Sequence, residues 1–111
     1  MRPEKRMATE QPHIAEVVKE EAGERTQEPP MFRVILHNDD YTTREFVVEL
    51  LVYVFRKSRD TATELMWRVH RKGRGVAGVY DREVAETKVA TATMLAREAE
   101  FPLQVTMEPE P

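Results

Sequence analysis

From Met31 onward the chain alternates in polarity: Phe32, Val34 and Leu36 take turns with Arg33, Ile35 and His37, the two-residue period of a half-buried strand. The run stops at Asn38-Asp39-Asp40. Thr42 and Glu45 then stand at capping-box spacing, and Phe46/Val47, Leu50/Leu51 and Val54/Phe55 recur four apart, which predicts a helix over about residues 43–57. Ser58-Arg59-Asp60 offers a second cap. Ala62, Leu65, Met66 and Val69 form the stripe of a second helix that ends near Gly73 and carries His70 in its last turn. The short, apolar, glycine-broken run from Gly75 to Tyr80 predicts a second strand. Asp81 can cap a third helix with a narrow stripe of Ala85, Val89, Ala92 and Ala96, small enough to dock closely on a sheet. Pro102 ends that helix, and Leu103, Val105 and Met107 alternate with Gln104, Thr106 and Glu108 as a last strand. Amphipathic helices and half-apolar strands must each bury one face. The order βααβαβ therefore predicts an α+β fold, a compact sandwich of a three-stranded antiparallel sheet and three helices.

Residues 1–28 differ in texture. They hold seven Glu against five Lys or Arg and no aromatic residue, too little apolar surface to offset the entropy of ordering. They read as a flexible N-terminal extension to a core domain over 29–111. The whole chain, 111 residues with 41% apolar and 33% charged content, suits one globular domain with a tail. A net charge of -3 gives no basic field for nucleic acid, and the lack of cysteine excludes disulfides, thiolate metal sites and a cysteine nucleophile. No apolar run reaches the roughly 20 residues a membrane span needs, and no signal peptide is visible, so a cytoplasmic protein is expected.

Asn38-Asp39-Asp40 lies where a strand hands over to a helix, and such turns favour Asn and Asp for backbone hydrogen bonding alone. A functional role needs a partner group. His70 supplies one if the helical hairpin folds back so that its end lies beside the turn. Three chemistries use such a cluster. A small hydrolase wants an activated nucleophile, but Thr42 and Thr43 serve as helix-start residues and no glycine-rich oxyanion loop is visible. A metal-dependent enzyme would draw ligands from His37, Asp39, Asp40 and His70, without HExxH or comparable spacing behind it. A cation site would offer carboxylate and amide oxygens and a neutral imidazole nitrogen, the acceptors a primary ammonium requires, and would also employ the apolar residues nearby. His70 equally suits the role of a histidine at a helix C-terminus, interacting with the last carbonyls and the dipole. Met66 and Val69 share its side of the helix and fit either core or a pocket, methionine being adaptable to ligands of different shape. Trp67, the only tryptophan, falls off that stripe and takes no site role.

From about Pro29 to Met107 the chain resembles the ClpS adaptor family. The likeness is carried by Val34-Ile35-Leu36-His37-Asn38-Asp39-Asp40-Tyr41-Thr42, by Leu65-Met66 with Val69-His70, by Gly78-Val79-Tyr80 and by Glu83-Val84-Ala85-Glu86-Thr87-Lys88-Val89-Ala90. The resemblance implies an adaptor, not an enzyme, that takes substrate proteins by a bare N-terminal Phe, Leu, Tyr or Trp and hands them to a Clp AAA+ unfoldase-protease. The residues matching the family's amine site are Asn38, Asp39 and His70, with Asp40 adding negative charge and Thr42 in the same motif. Those matching its side-chain pocket are Val47, Met66 and Val69. Glu83, Glu86 and Lys88 match its surface for the N-terminal domain of ClpA or ClpC; standing alone, that trio would read as a solvated helix face. The resemblance brings no cofactor and no metal, and implies a monomer. Many relatives carry Pro-Met where this chain has Thr43-Arg44, and that methionine is the gate that rejects β-branched first residues. The stem of Arg44 can wall the pocket while its head reaches water. Weak discrimination against Ile or Val is therefore expected unless the stem packs down. Removal of residues 1–28 is expected to leave peptide affinity intact and impair delivery.

Overall fold

The alternation that begins at Phe32 forms the central strand of the sheet, in a computed structural model that describes residues 29–111. The expected extension over residues 1–28 lies outside the described residues. The elements run β1 (Met31–His37), α1 (Arg44–Tyr53), α2 (Arg59–Lys72), β2 (Arg74–Asp81), α3 (Arg82–Glu98) and β3 (Gln104–Pro109). The sheet is antiparallel with spatial order β2-β1-β3. On one face Val34 stands opposite Gly78 and Met107, and Leu36 opposite Gly75 and Val105. The helices bury this face, and Phe32, Val34, Leu36, Leu51, Val69, Ala92 and Leu103 meet in one core. Burying a side chain of the size of Leu36 or Leu51 contributes roughly 1.5–3 kcal/mol.

The other face departs from simple alternation. Ile35 shares it with Arg33 and His37, yet is only 1% exposed. A bulge between Val34 and Ile35 shifts the pairing with β2, and polar side chains bond across this face. His37 lies 2.8 Å from the Thr106 hydroxyl, and Glu108 accepts from Arg33 at 2.9 Å and Arg74 at 3.2 Å.

Cap chemistry fixes the helix ends. Ser58 accepts from the Thr61 N–H at 3.2 Å to start α2, and Gly73, at φ 94, closes it in the left-handed region that glycine tolerates. Asp81 accepts from the Val84 N–H at 2.9 Å to start α3, whose Ala85, Ala92 and Ala96 are fully buried while Val89 is half-buried. Three boundaries differ from the sequence reading. The cap of α1 is Thr43, which accepts from the Phe46 N–H at 3.1 Å, because the Thr42 hydroxyl is committed to Asp39 at 2.7 Å. The helix stops at Tyr53 instead of near residue 57, since Arg56 turns left-handed at φ 59 and the Lys57 N–H reaches back to the Leu51 carbonyl. The end of α3 is likewise set before Pro102, by the left-handed Glu100 at φ 64.

Candidate functional site

The acidic turn after β1 is a hydrogen-bonded knot. One oxygen of Asp39 accepts from the N–H groups of Tyr41 at 2.8 Å and Thr42 at 2.7 Å, and the other accepts from the Thr42 hydroxyl at 2.7 Å. This is the turn-forming use that Asp supplies through its side chain. Partial burial pushes the Asp39 carboxyl up, but the bonds from Thr42 and Tyr41 and the positive charge of Arg97 outweigh it. The group is held below its ordinary value and stays ionised.

A single backbone bond brings the far helix end to this turn: the Asn38 N–H donates to the Gly73 carbonyl at 2.9 Å. Gly73 follows directly on the last turn of α2, so His70 arrives beside Asn38. Gly75 lets β2 pass close to the same helix, for a Cβ there would stand 2.9 Å from Cγ2 of Val69.

Between the turn and the helix opens a hollow of about 380 Å³, lined by Asn38, Asp39, Asp40, Thr42, Arg44 and His70 and floored by apolar side chains. The floor is Val47, Met66 and Val69, at 6%, 6% and 4% exposure. Asn38, Asp40 and His70 are exposed at the mouth, and Asp39 is half-buried. Every residue that the sequence suggested for amine, pocket and gate thus borders one cavity. His37 does not. It faces the opposite side of the sheet beside Thr106, which breaks up the ligand set His37, Asp39, Asp40 and His70. Among the described residues no group of three or more His, Cys, Asp or Glu side chains is placed to hold a metal ion.

The hollow also takes in Tyr41, Thr43 and Glu45, which the sequence reading left out and which enter as neighbours of the turn. Trp67 is a more consequential omission. The guanidinium of Arg44 lies 5.2 Å and that of Arg71 4.9 Å from its ring centroid, and the His70 ring meets it edge-on at 5.7 Å. The spacing of Trp67, His70 and Arg71 along a helix is a signal for such contacts, invisible when only the apolar stripe is followed.

Glu83, Glu86 and Lys88 lie on α3, away from the hollow. Glu83 and Glu86 are exposed, Glu86 with Arg82 at 4.0 Å. Lys88 donates to the Val54 carbonyl at 2.6 Å and lies over the Tyr80 ring, so it also ties α3 to the end of α1. Glu83 and Lys88 border a separate groove of about 510 Å³ with Tyr53, Val54, Val84, Thr87 and Thr91.

An open hollow with a buried apolar floor and an acidic, acceptor-rich mouth, on a βααβαβ frame, has the form of a ligand-binding domain. The chain belongs to the ClpS family, the adaptor proteins of the ATP-dependent Clp protease, whose family model matches residues 27–106. It is 60% identical over 85 residues to the ClpS adapter protein of Lawsonia intracellularis, covering 77% of this chain and 78% of the relative. It is 50% identical over 104 residues to that of Desulforapulum autotrophicum, covering 94% of this chain and 100% of the relative. Among solved structures, Agrobacterium tumefaciens ClpS2 bound to L-phenylalaninamide superposes with a TM-score of 0.72 at 51% identity, over 75% of this chain and all of that one. Among the described residues no helix is long and apolar enough to cross a membrane.

Proposed function

We propose that this adaptor holds substrate proteins by their first residue in the hollow between the 38–42 turn and the end of α2. The α-ammonium sits at the mouth against Asn38, Asp39 and His70, with Asp40 and Thr42 at the rim, and the side chain enters the floor of Val47, Met66 and Val69. The observation that carries this reading is the meeting of an ionised, turn-locked carboxylate and an imidazole over a buried apolar floor in one cavity. Phenylalaninamide, bound by the Agrobacterium relative, has both features such a cavity recognises, an apolar ring and a free amine.

The energies suffice. Burying a large apolar side chain contributes roughly 1.5–3 kcal/mol, and each hydrogen bond to a charged group roughly 1.5–3 kcal/mol. After association costs, about 8 kcal/mol and micromolar binding are within reach. The preferred first residues are Phe, Leu, Tyr and Trp. Delivery is to the N-terminal domain of a ClpA- or ClpC-type unfoldase in the cytoplasm, by a monomer acting through Glu83, Glu86 and Lys88, with no catalytic step of its own. The domain division at about residue 28 belongs to the same reading, the extension aiding transfer.

Anisotropy of short labelled peptides differing only in their first residue tests it. Phe, Leu, Tyr and Trp peptides should bind and Asp or Lys peptides should not. Binding indifferent to the first residue, peptide turnover, or binding that appears only with added zinc or calcium would return the cluster to a hydrolase or metal-dependent reading.

A further inference from the structure

Arg44 stands at a partition. Arg44, Glu45 and Met66 border both the hollow at the 38–42 turn and a second hollow of about 380 Å³, lined further by Val48, Glu49, Arg59, Thr63 and Trp67. As the first residue of α1, Arg44 follows directly on the 38–42 turn and its Thr43 cap and borders the same hollow as the floor residues Val47, Met66 and Val69. What its guanidinium pairs with decides whether the stem stays in place. Glu49, which borders the second hollow with Arg44, is taken by Arg59 at 2.9 and 3.3 Å. Among the described residues no carboxylate forms an ion pair with Arg44. The guanidinium instead lies over the half-buried indole of Trp67, within the range of a cation–π contact.

We propose that Trp67 is a specificity-determining positioning residue: by stacking on Arg44 it keeps the arginine stem standing as the wall between the two hollows, and this wall excludes first residues branched at the β-carbon. The inference rests on the pocket reading above. It reverses the expectation of weak discrimination, because the stem has a place to pack. Trp67 touches no ligand; it acts through Arg44. Leu and Ile are isomers of nearly equal apolar area, so their affinity ratio isolates the shape of the wall from the gain of burial.

The test is the ratio of affinities for Leu- and Ile-starting peptides, by anisotropy, in the full chain and five variants. The unaltered protein is expected to favour Leu at least tenfold, about 1.4 kcal/mol. Arg44→Ala and Trp67→Ala should each bring the ratio below threefold, and the double variant no lower than either alone. Trp67→Phe, which retains a ring face, should keep most of the ratio, whereas Trp67→Leu, which retains apolar bulk without one, should lose it. The Phe and Leu variants decide the matter even if Trp67→Ala fails to fold. Trp67 is the sole tryptophan, so acrylamide quenching of its emission should rise in Arg44→Ala as the indole face is uncovered. A starting ratio near one, a Trp67→Leu variant that keeps the ratio, or quenching unchanged by Arg44→Ala overturns the inference. Loss of Leu-peptide binding by the unaltered protein would instead overturn the pocket reading itself.

Discussion

The hollow at the 38–42 turn and the outer face of α3 carry comparable numbers of charged groups but are built on opposite plans. The hollow draws its polar groups from the turn after β1 and its imidazole from α2, and sets them over buried Val47, Met66 and Val69. The α3 trio comes from one helix, with Glu83 and Glu86 exposed and Lys88 already engaged by the Val54 carbonyl. A site assembled from distant segments depends on the fold, because each group is useful only where another element presents it. A face on a single helix depends on what docks there, and exposed ion pairs such as Arg82–Glu86 add little stability of their own.

The largest expected effect that would sharpen this contrast is at Asp39. Asp39→Ala removes both the charge and three hydrogen bonds that shape the turn, and should weaken binding of a Phe-starting peptide by a hundredfold or more, about 2.7 kcal/mol. Unfoldase docking, followed by surface plasmon resonance without peptide, should stay as it was. Equal damage to both activities would break the separation of the two regions. Next in size, Glu83→Arg with Glu86→Arg should weaken unfoldase docking by tenfold or more and slow delivery, with peptide affinity unchanged in the same anisotropy assay. Smaller again, Lys88→Met keeps the stem but leaves the Val54 carbonyl without its ammonium donor. It should cost on the order of 1 kcal/mol in urea unfolding.

The smallest effect is the pH dependence of Asp39. Its folded-state value is depressed, so its ionisation contributes stability above the unfolded value of about 3.9, and that contribution is lost as pH falls through the lower folded value. The stability gap between the protein and Asp39→Asn should thus be level at neutral pH and close on acidification below about pH 4. A gap that stays constant down to acid would show that the carboxylate is not favoured in the fold.

Much of this architecture was legible because caps and stripes agree. Ser58, Gly73 and Asp81 bound their helices as their residue types suggest, and Ala85, Ala92 and Ala96 face inward. Errors arose where one side chain had two possible partners. Thr42 and Thr43 both suit a cap, and the competing bond to Asp39 assigned the role to Thr43. Ile35 lies on the face assigned to solvent, and only cross-strand bonding among Arg33, Arg74 and Glu108 reveals why that face can bury it. Residue chemistry alone left the 38–40 cluster open among hydrolase, metal and ammonium sites. The family motif narrowed it, and geometry removed His37 from the metal set. Trp67 stayed unread because it lies off the apolar stripe: its neighbours His70 and Arg71 stand at helical spacing, whereas its contact to Arg44 of α1 exists only in three dimensions.

The decisive measurement compares a free Phe-starting peptide with its N-acetylated twin. Acetylation leaves the ring intact and removes only the positive amine. The free peptide should bind near micromolar affinity and the acetylated one at least a hundredfold more weakly, whereas equal binding by both would contradict recognition of an ammonium at the mouth of this cavity.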